Sequence, residues 1–77
     1  MSEDVLALWV IYDRPLDFPR HVVVRAQFVN RAGHVRFSPE CELFDTIEQA
    51  HTAMHDRGLA YLGRMLGDDP KIVGVWL

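Results

Sequence analysis

The 77 residues leave room for one domain spanning 1–77, and a chain this short buries only roughly 60–65% of its unfolded surface, so its core must be dense or shared with a partner. An apolar fraction of 49% with 25% charged residues excludes a disordered chain, and a net charge of −3 weighs against a dedicated nucleic-acid binder. The single cysteine, Cys41, excludes an intrachain disulfide, and no apolar run approaches the roughly 20 residues of a transmembrane helix.

The N-terminus carries Glu3 and Asp4 where a secretion signal would be basic, so the expectation is a cytoplasmic protein. Charge is segregated along the chain. Arg14, Arg20, Arg25, Arg31 and Arg36 meet one acid, Asp17, whereas Glu40, Glu42, Asp45, Glu48 and Asp56 are interrupted by no Lys or Arg. Seven of the eight basic residues are Arg, a usage associated with GC-rich bacterial genomes.

Val5 to Tyr12 is a continuous apolar run rich in β-branched and aromatic residues, which predicts a strand buried on both faces. Asp13-Arg14-Pro15 ends it, because proline cannot donate to a ladder and restrains the residue before it. His21 to Val29 alternates, with Val22, Val24, Ala26 and Phe28 on one side and His21, Val23, Arg25 and Gln27 on the other. Asn30-Arg31-Ala32-Gly33 reads as a turn, and His34 to Ser38 alternates again. With residues 30–33 as a four-residue loop, Phe28 faces Val35, Ala26 faces Phe37, Gln27 faces Arg36 and Arg25 faces Ser38. Apolar then meets apolar and polar meets polar at every rung, and the hairpin buries one face and wets the other.

Pro39 and Glu40 interrupt the chain, and Leu43 and Phe44 lead into a helix. Asp45 with Glu48, or Thr46 with Gln49, matches a capping box. Ile47, Ala50, Ala53 and Met54 form the apolar stripe, and Arg57-Gly58 suits the helix end. Residues 59–66 fit either a second short helix or an extended arm, since Gly58 and Gly63 weaken a helix by about 1 kcal/mol each. Gly67 to Pro70 reads as a turn and Ile72 to Leu77 as a last strand, apolar on both faces. The expectation is an α+β domain of order β-β-β-α-β: a small three- to four-stranded, mostly antiparallel sheet with one principal helix on one face. The other face of the first and last strands needs cover from residues 59–66 or from a second subunit.

The segments Trp9-Val10-Ile11-Tyr12-Asp13-Arg14-Pro15-Leu16-Asp17-Phe18-Pro19 and Asp68-Asp69-Pro70-Lys71-Ile72-Val73-Gly74-Val75-Trp76-Leu77 resemble those of short uncharacterised bacterial proteins of about this length. The resemblance spans most of the chain. It implies a single bacterial domain and no particular activity.

The candidate sites each compete with a plainer role. His51 and His55 have the i, i+4 spacing of two metal ligands, but Thr52 stands where a zinc protease needs Glu; they read as two solvated helix histidines, with no metal or cofactor implied. Cys41 has His34 nearest in sequence but no orienting third group, so it reads as a small half-buried residue and not a nucleophile. Asp13 and Asp17, with Asp68 and Asp69, could do acid–base work or hold a hard cation, yet Asp-x-Pro and Asp-Asp-Pro are ordinary turn chemistry. His21, Arg25, Gln27, His34 and Arg36 are expected on the wet hairpin face, where they could bind a phosphate backbone, although that face lacks exposed aromatic platforms. Trp9, Tyr12, Tyr61 and Trp76 are expected in the core or at an interface, with both tryptophans near the sheet centre. The functional expectation is a non-enzymatic protein-interaction module that pairs with itself. The alternatives are a nucleic-acid or anionic-ligand binder using Arg25 and Arg36, and a small enzyme using Asp13 and Asp17.

Overall fold

The computed structural model describes residues 5–64 and 70–77. Strands β1 (Val5–Asp13), β2 (Val22–Asn30) and β3 (Val35–Phe44) are followed by helix α1 (Ile47–Asp56) and strands β4 (Tyr61–Gly63) and β5 (Ile72–Trp76). They form one antiparallel sheet in the order β3-β2-β1-β5-β4. The α+β class and the return of the last strand beside the first are as expected, and β4 takes the sheet to five strands. The two-sided apolar strands occupy the interior because a strand buried on both faces has no tolerance for an open edge. Trp9 pairs with Trp76 across the β1–β5 ladder, which puts both indoles at the sheet centre.

Helix α1 covers one face of the sheet. Ala50 and Met54 pack with Ile11, Val22, Val24 and Trp76, and Trp9, Phe44, Ile47, Ala53, Leu59 and Val73 close around them. The helix start resolves in favour of Thr46. Its hydroxyl accepts from the Gln49 amide at 3.1 Å, while the Gln49 side chain accepts from the Asp45 amide at 3.0 Å. Such a cap stabilises by about 1 kcal/mol. At the other end Gly58 takes φ +79°, its amide donates to the His55 carbonyl and the Leu59 amide to the Met54 carbonyl. This is the paired-bond helix stop that favours glycine, with Leu59 folded back onto the Met54 cluster. Arg57, the C-cap, donates to Glu42 of β3. That hydrogen bond raises the Arg57 pKa, partial burial opposes it, and the Glu42 charge adds to the rise.

The β2–β3 register differs from the expected one. Val29 faces Val35, Phe28 faces Arg36 and Gln27 faces Phe37, one residue away from the predicted pairing. The turn decides this. The Gly33 amide donates to the Asn30 carbonyl, the Asn30 amide donates to the His34 carbonyl, and Gly33 adopts φ +82°. The loop is therefore three residues, 31–33, with glycine in the left-handed position. An odd loop reverses the parity of every residue after it. The strand also does not stop at Pro39. Ser38, Pro39 and Glu40 bulge opposite Ala26, and pairing resumes with Arg25 facing Cys41 and Val22 facing Phe44. Proline removes a ladder donor, which an edge strand tolerates as a bulge.

After the helix the chain is extended. Ala60 and Leu77 exchange both backbone hydrogen bonds, at 2.9 and 2.8 Å, and Tyr61 pairs with Trp76. Residues 61–63 are thus an edge strand beside β5, and Leu59 and Tyr61 pack on the helix side. Residues 65 and 66, and the Asp68 and Asp69 carboxylates considered above, lie outside the described residues. No helix among the described residues is long and apolar enough to cross a membrane.

Candidate functional site

The face of the sheet opposite α1 is built in cross-strand rows. Leu6, Val29 and Val35 form one row; Leu8, Gln27 and Phe37 the next; then Val10, Arg25 and Cys41; then Tyr12, Val23 and Leu43. Val75 extends the third row from the β5 side. Val10, Val23 and Val75 are buried, whereas Leu6, Val35, Phe37 and Leu43 are between 44% and 54% exposed. Arg25 is the one charged residue of these rows. This open face is apolar because β1 is two-sided and because the three-residue turn moved Val35 and Phe37 onto it, away from the helix.

The β1–β2 loop comes over part of this face. Within it the Phe18 amide donates to the Pro15 carbonyl and the His21 amide to the Phe18 carbonyl, two tight turns of the kind Asp, Pro and aromatic residues build. Pro15 and Asp17 of the loop, with Tyr12, Val23, Arg25 and Phe37 of the sheet, line a cleft of about 240 Å³. Tyr12 leans along the strand so that its hydroxyl accepts from the Gln27 side chain at 3.3 Å. The Arg25 guanidinium reaches Asp17 at 3.4 Å, a long contact for a charge-assisted bond. Its Nε is buried without a hydrogen-bond partner among the described residues.

The residues singled out from the sequence do not share one surface. Arg25 lies on the open face, but Arg36 faces Phe28 and sets its guanidinium 5.9 Å from that ring's centroid, on the helix side beyond the helix. His34 lines a second cleft, of about 210 Å³, with Asn30, Phe28 and Arg36, and the His34 amide donates to the Asn30 side chain. The wet basic face expected of the hairpin is therefore not formed, for the same parity reason. His21 sits at the loop end, its carbonyl accepting from the Arg14 amide. Asp13 pairs with Arg14 at 3.2 Å while Asp17 turns to Arg25, so the two loop carboxylates take different cations. Cys41 is a half-buried free thiol opposite Arg25.

His51 is not the solvated helix histidine expected. The Trp76 indole N–H donates to its Nδ1 at 3.0 Å, so the neutral ring carries its proton on Nε2. Its ring meets Tyr61 edge-on, 5.2 Å between centroids, and Tyr61 lies 5.1 Å from Trp76. His55 points away and stays exposed beside Asp56. Among the described residues no three His, Cys, Asp or Glu gather as a metal site. Tyr61 and Trp76 thus belong to a packed aromatic cluster on the helix side, and Tyr12 belongs to the cleft. Pro15 and Phe37 line that cleft without having been singled out: Phe37 is there because of the three-residue turn, and Pro15 because the loop folds over the sheet. No protein-family model, no curated protein and no solved structure matches the chain.

Proposed function

We propose that this chain is a non-enzymatic protein-interaction module, bacterial and cytoplasmic in setting, that pairs with a second copy of itself through the open sheet face. The observation that carries the reading is the cluster of half-exposed Leu6, Val35, Phe37 and Leu43 on one face whose described strand residues carry a single charge. Exposed apolar side chains gathered on one surface mark an interaction site, whereas single ones do not. A face with almost no charge holds no electrostatic code for a different partner. A twofold axis through it sets the same apolar rows against each other, the self-complementary arrangement of most homodimers. The edges are poorer candidates: β3 is bulged at Pro39 and β4 has only three residues, both devices that blunt strand-to-strand pairing.

The experiment is sedimentation equilibrium from ~1 to several hundred micromolar, a range that brackets weak and ordinary homodimers. The expected result is a dimer that Leu6→Asp or Val35→Asp converts to monomer while the circular dichroism spectrum is unchanged. A wild-type chain that stays monomeric across the range would sink the proposal.

A further inference from the structure

We infer that the cleft between the β1–β2 loop and the open face binds a small monocarboxylic acid with an apolar, preferably aromatic, body, through the Arg25 guanidinium. The inference goes beyond self-association and does not depend on it, although Phe37 belongs both to the cleft and to the face proposed to pair, so ligand and second copy compete there. Three features of the cleft converge on that ligand class.

The first is the state of Arg25. A guanidinium offers five donors in a planar fork suited to a carboxylate. Among the described residues it makes one side-chain hydrogen bond, at 3.4 Å, with Asp17, and its Nε has no partner. A buried polar group left this way costs free energy and calls for a reason. With 30% of the side chain exposed and only Nε buried, the outer nitrogens of the fork are accessible to an anion.

The second is Asp17. Its side chain is 56% exposed on the loop, and it already presents a carboxylate to the guanidinium. An exposed pair at this distance contributes little, so a ligand carboxylate in better geometry displaces it at small cost. Asp17 is in effect a weak intramolecular stand-in for the ligand. It also sets the ligand's charge. Arg25 is the one cation lining the cleft among the described residues, and a dianionic phosphate beside Asp17 would be poorly compensated.

The third is size and lining. A cleft of about 240 Å³ lies below the roughly 300–1,000 Å³ of pockets that take drug-sized molecules. That volume matches a single ring with a short acidic arm. Val23 forms the floor, and Tyr12, Phe37 and Pro15 supply the apolar walls. Aromatic walls favour a planar guest through offset or edge-on contact.

The probe is phenylacetate, titrated into the full-length chain and followed by heteronuclear NMR shifts. The expected dissociation constant is on the order of a millimolar, in keeping with so few ligand atoms. Phenylacetamide, equal in shape but uncharged, should bind about tenfold more weakly or worse. Arg25→Gln should lose about tenfold in affinity, and Arg25→Lys should recover only part of it, because an ammonium lacks the fork. Asp17→Asn should tighten binding by about threefold, since it removes the competing carboxylate. A nonspecific ionic contact would gain as well, so the fork geometry tested by Arg25→Lys and the location of the shifts at Tyr12 and Val23 are what set the cleft apart from it. The same titration on Leu6→Asp separates this inference from the dimer: binding there must persist. Acid and amide binding alike, unchanged or weaker binding in Asp17→Asn, or shifts mapping away from Tyr12 and Val23 would each overturn the inference.

Discussion

Removing the acceptor from the Trp76 indole is the sharpest stability test in the molecule. Trp76 is 7% exposed, and its N–H donates to His51 Nδ1 at 3.0 Å. Leucine at position 51 keeps an apolar body near the cluster but cannot accept. A buried donor left unsatisfied costs about 1–3 kcal/mol, and the lost edge-on contact with Tyr61 adds about 0.5–1.5 kcal/mol. Recovered burial of the leucine offsets part of this, so His51→Leu should destabilise by about 2 kcal/mol. For 77 residues that is a sizeable share of a total of roughly 4–12 kcal/mol, and it lowers Tm by about 8–16 °C. Trp76→Phe removes the donor itself, and in that background His51→Leu should cost about 1 kcal/mol less. Urea unfolding of the four proteins, followed by far-ultraviolet circular dichroism so that loss of the tryptophan does not alter the signal, measures the coupling. A coupling below about 0.3 kcal/mol would refute the hydrogen bond as a stabilising contact.

Gly74→Ala should destabilise by about 1 kcal/mol, because the new methyl would meet the Tyr61 ring at 2.6 Å and drive it from its place beside Trp76. In a Tyr61→Ala background the cost should vanish; a thermal melt showing the same loss in both backgrounds would disprove the clash. Thr46→Ala should cost about 1 kcal/mol through loss of the cap on the Gln49 amide. Equal urea midpoints for Thr46→Ala and wild type would show that the Gln49–Asp45 bond alone holds the helix start.

The elements that were legible in the sequence are those whose signal is local and of one period. The two-sided apolar runs around Trp9 and Val75 announced inner strands. The alternation of residues 22–28 correctly separated Val22 and Val24 from Val23 and Arg25. Arg57 with Gly58 marked the end of the helix, and Asp45 with Glu48 or Thr46 with Gln49 marked its start to within one residue. Matching apolar side chains across residues 25–38 gave an attractive register that the turn does not allow, because Gly33 in the left-handed conformation closes a three-residue loop. One residue of turn chemistry outweighed four rungs of side-chain agreement, and it moved Phe37 to the open face and Arg36 to the helix side.

The candidate site was legible only in parts. Arg25, Asp17 and Tyr12 were named as residues of interest, but their meeting depends on the loop folding over the sheet, which no spacing expresses. His51 read as a solvated helix histidine. Its actual partner, Trp76, lies 25 residues away and was reachable only once β5 was placed beside β1. By itself the sequence determined the class of fold, the presence of the helix and its end at Arg57-Gly58, and the two inner strands, since these follow from hydrophobic period and capping chemistry within a few neighbouring residues. Val5 and Leu6 at the start of β1 are nonetheless half-exposed and not buried as expected, and the helix start stayed open between Asp45 and Thr46 until the cap geometry decided it. The tertiary structure alone decided which residues share a face and which rings and charges touch. Those depend on turn parity, a bulge and the packing of a loop, where a shift of one residue carries a side chain to the opposite side of the sheet.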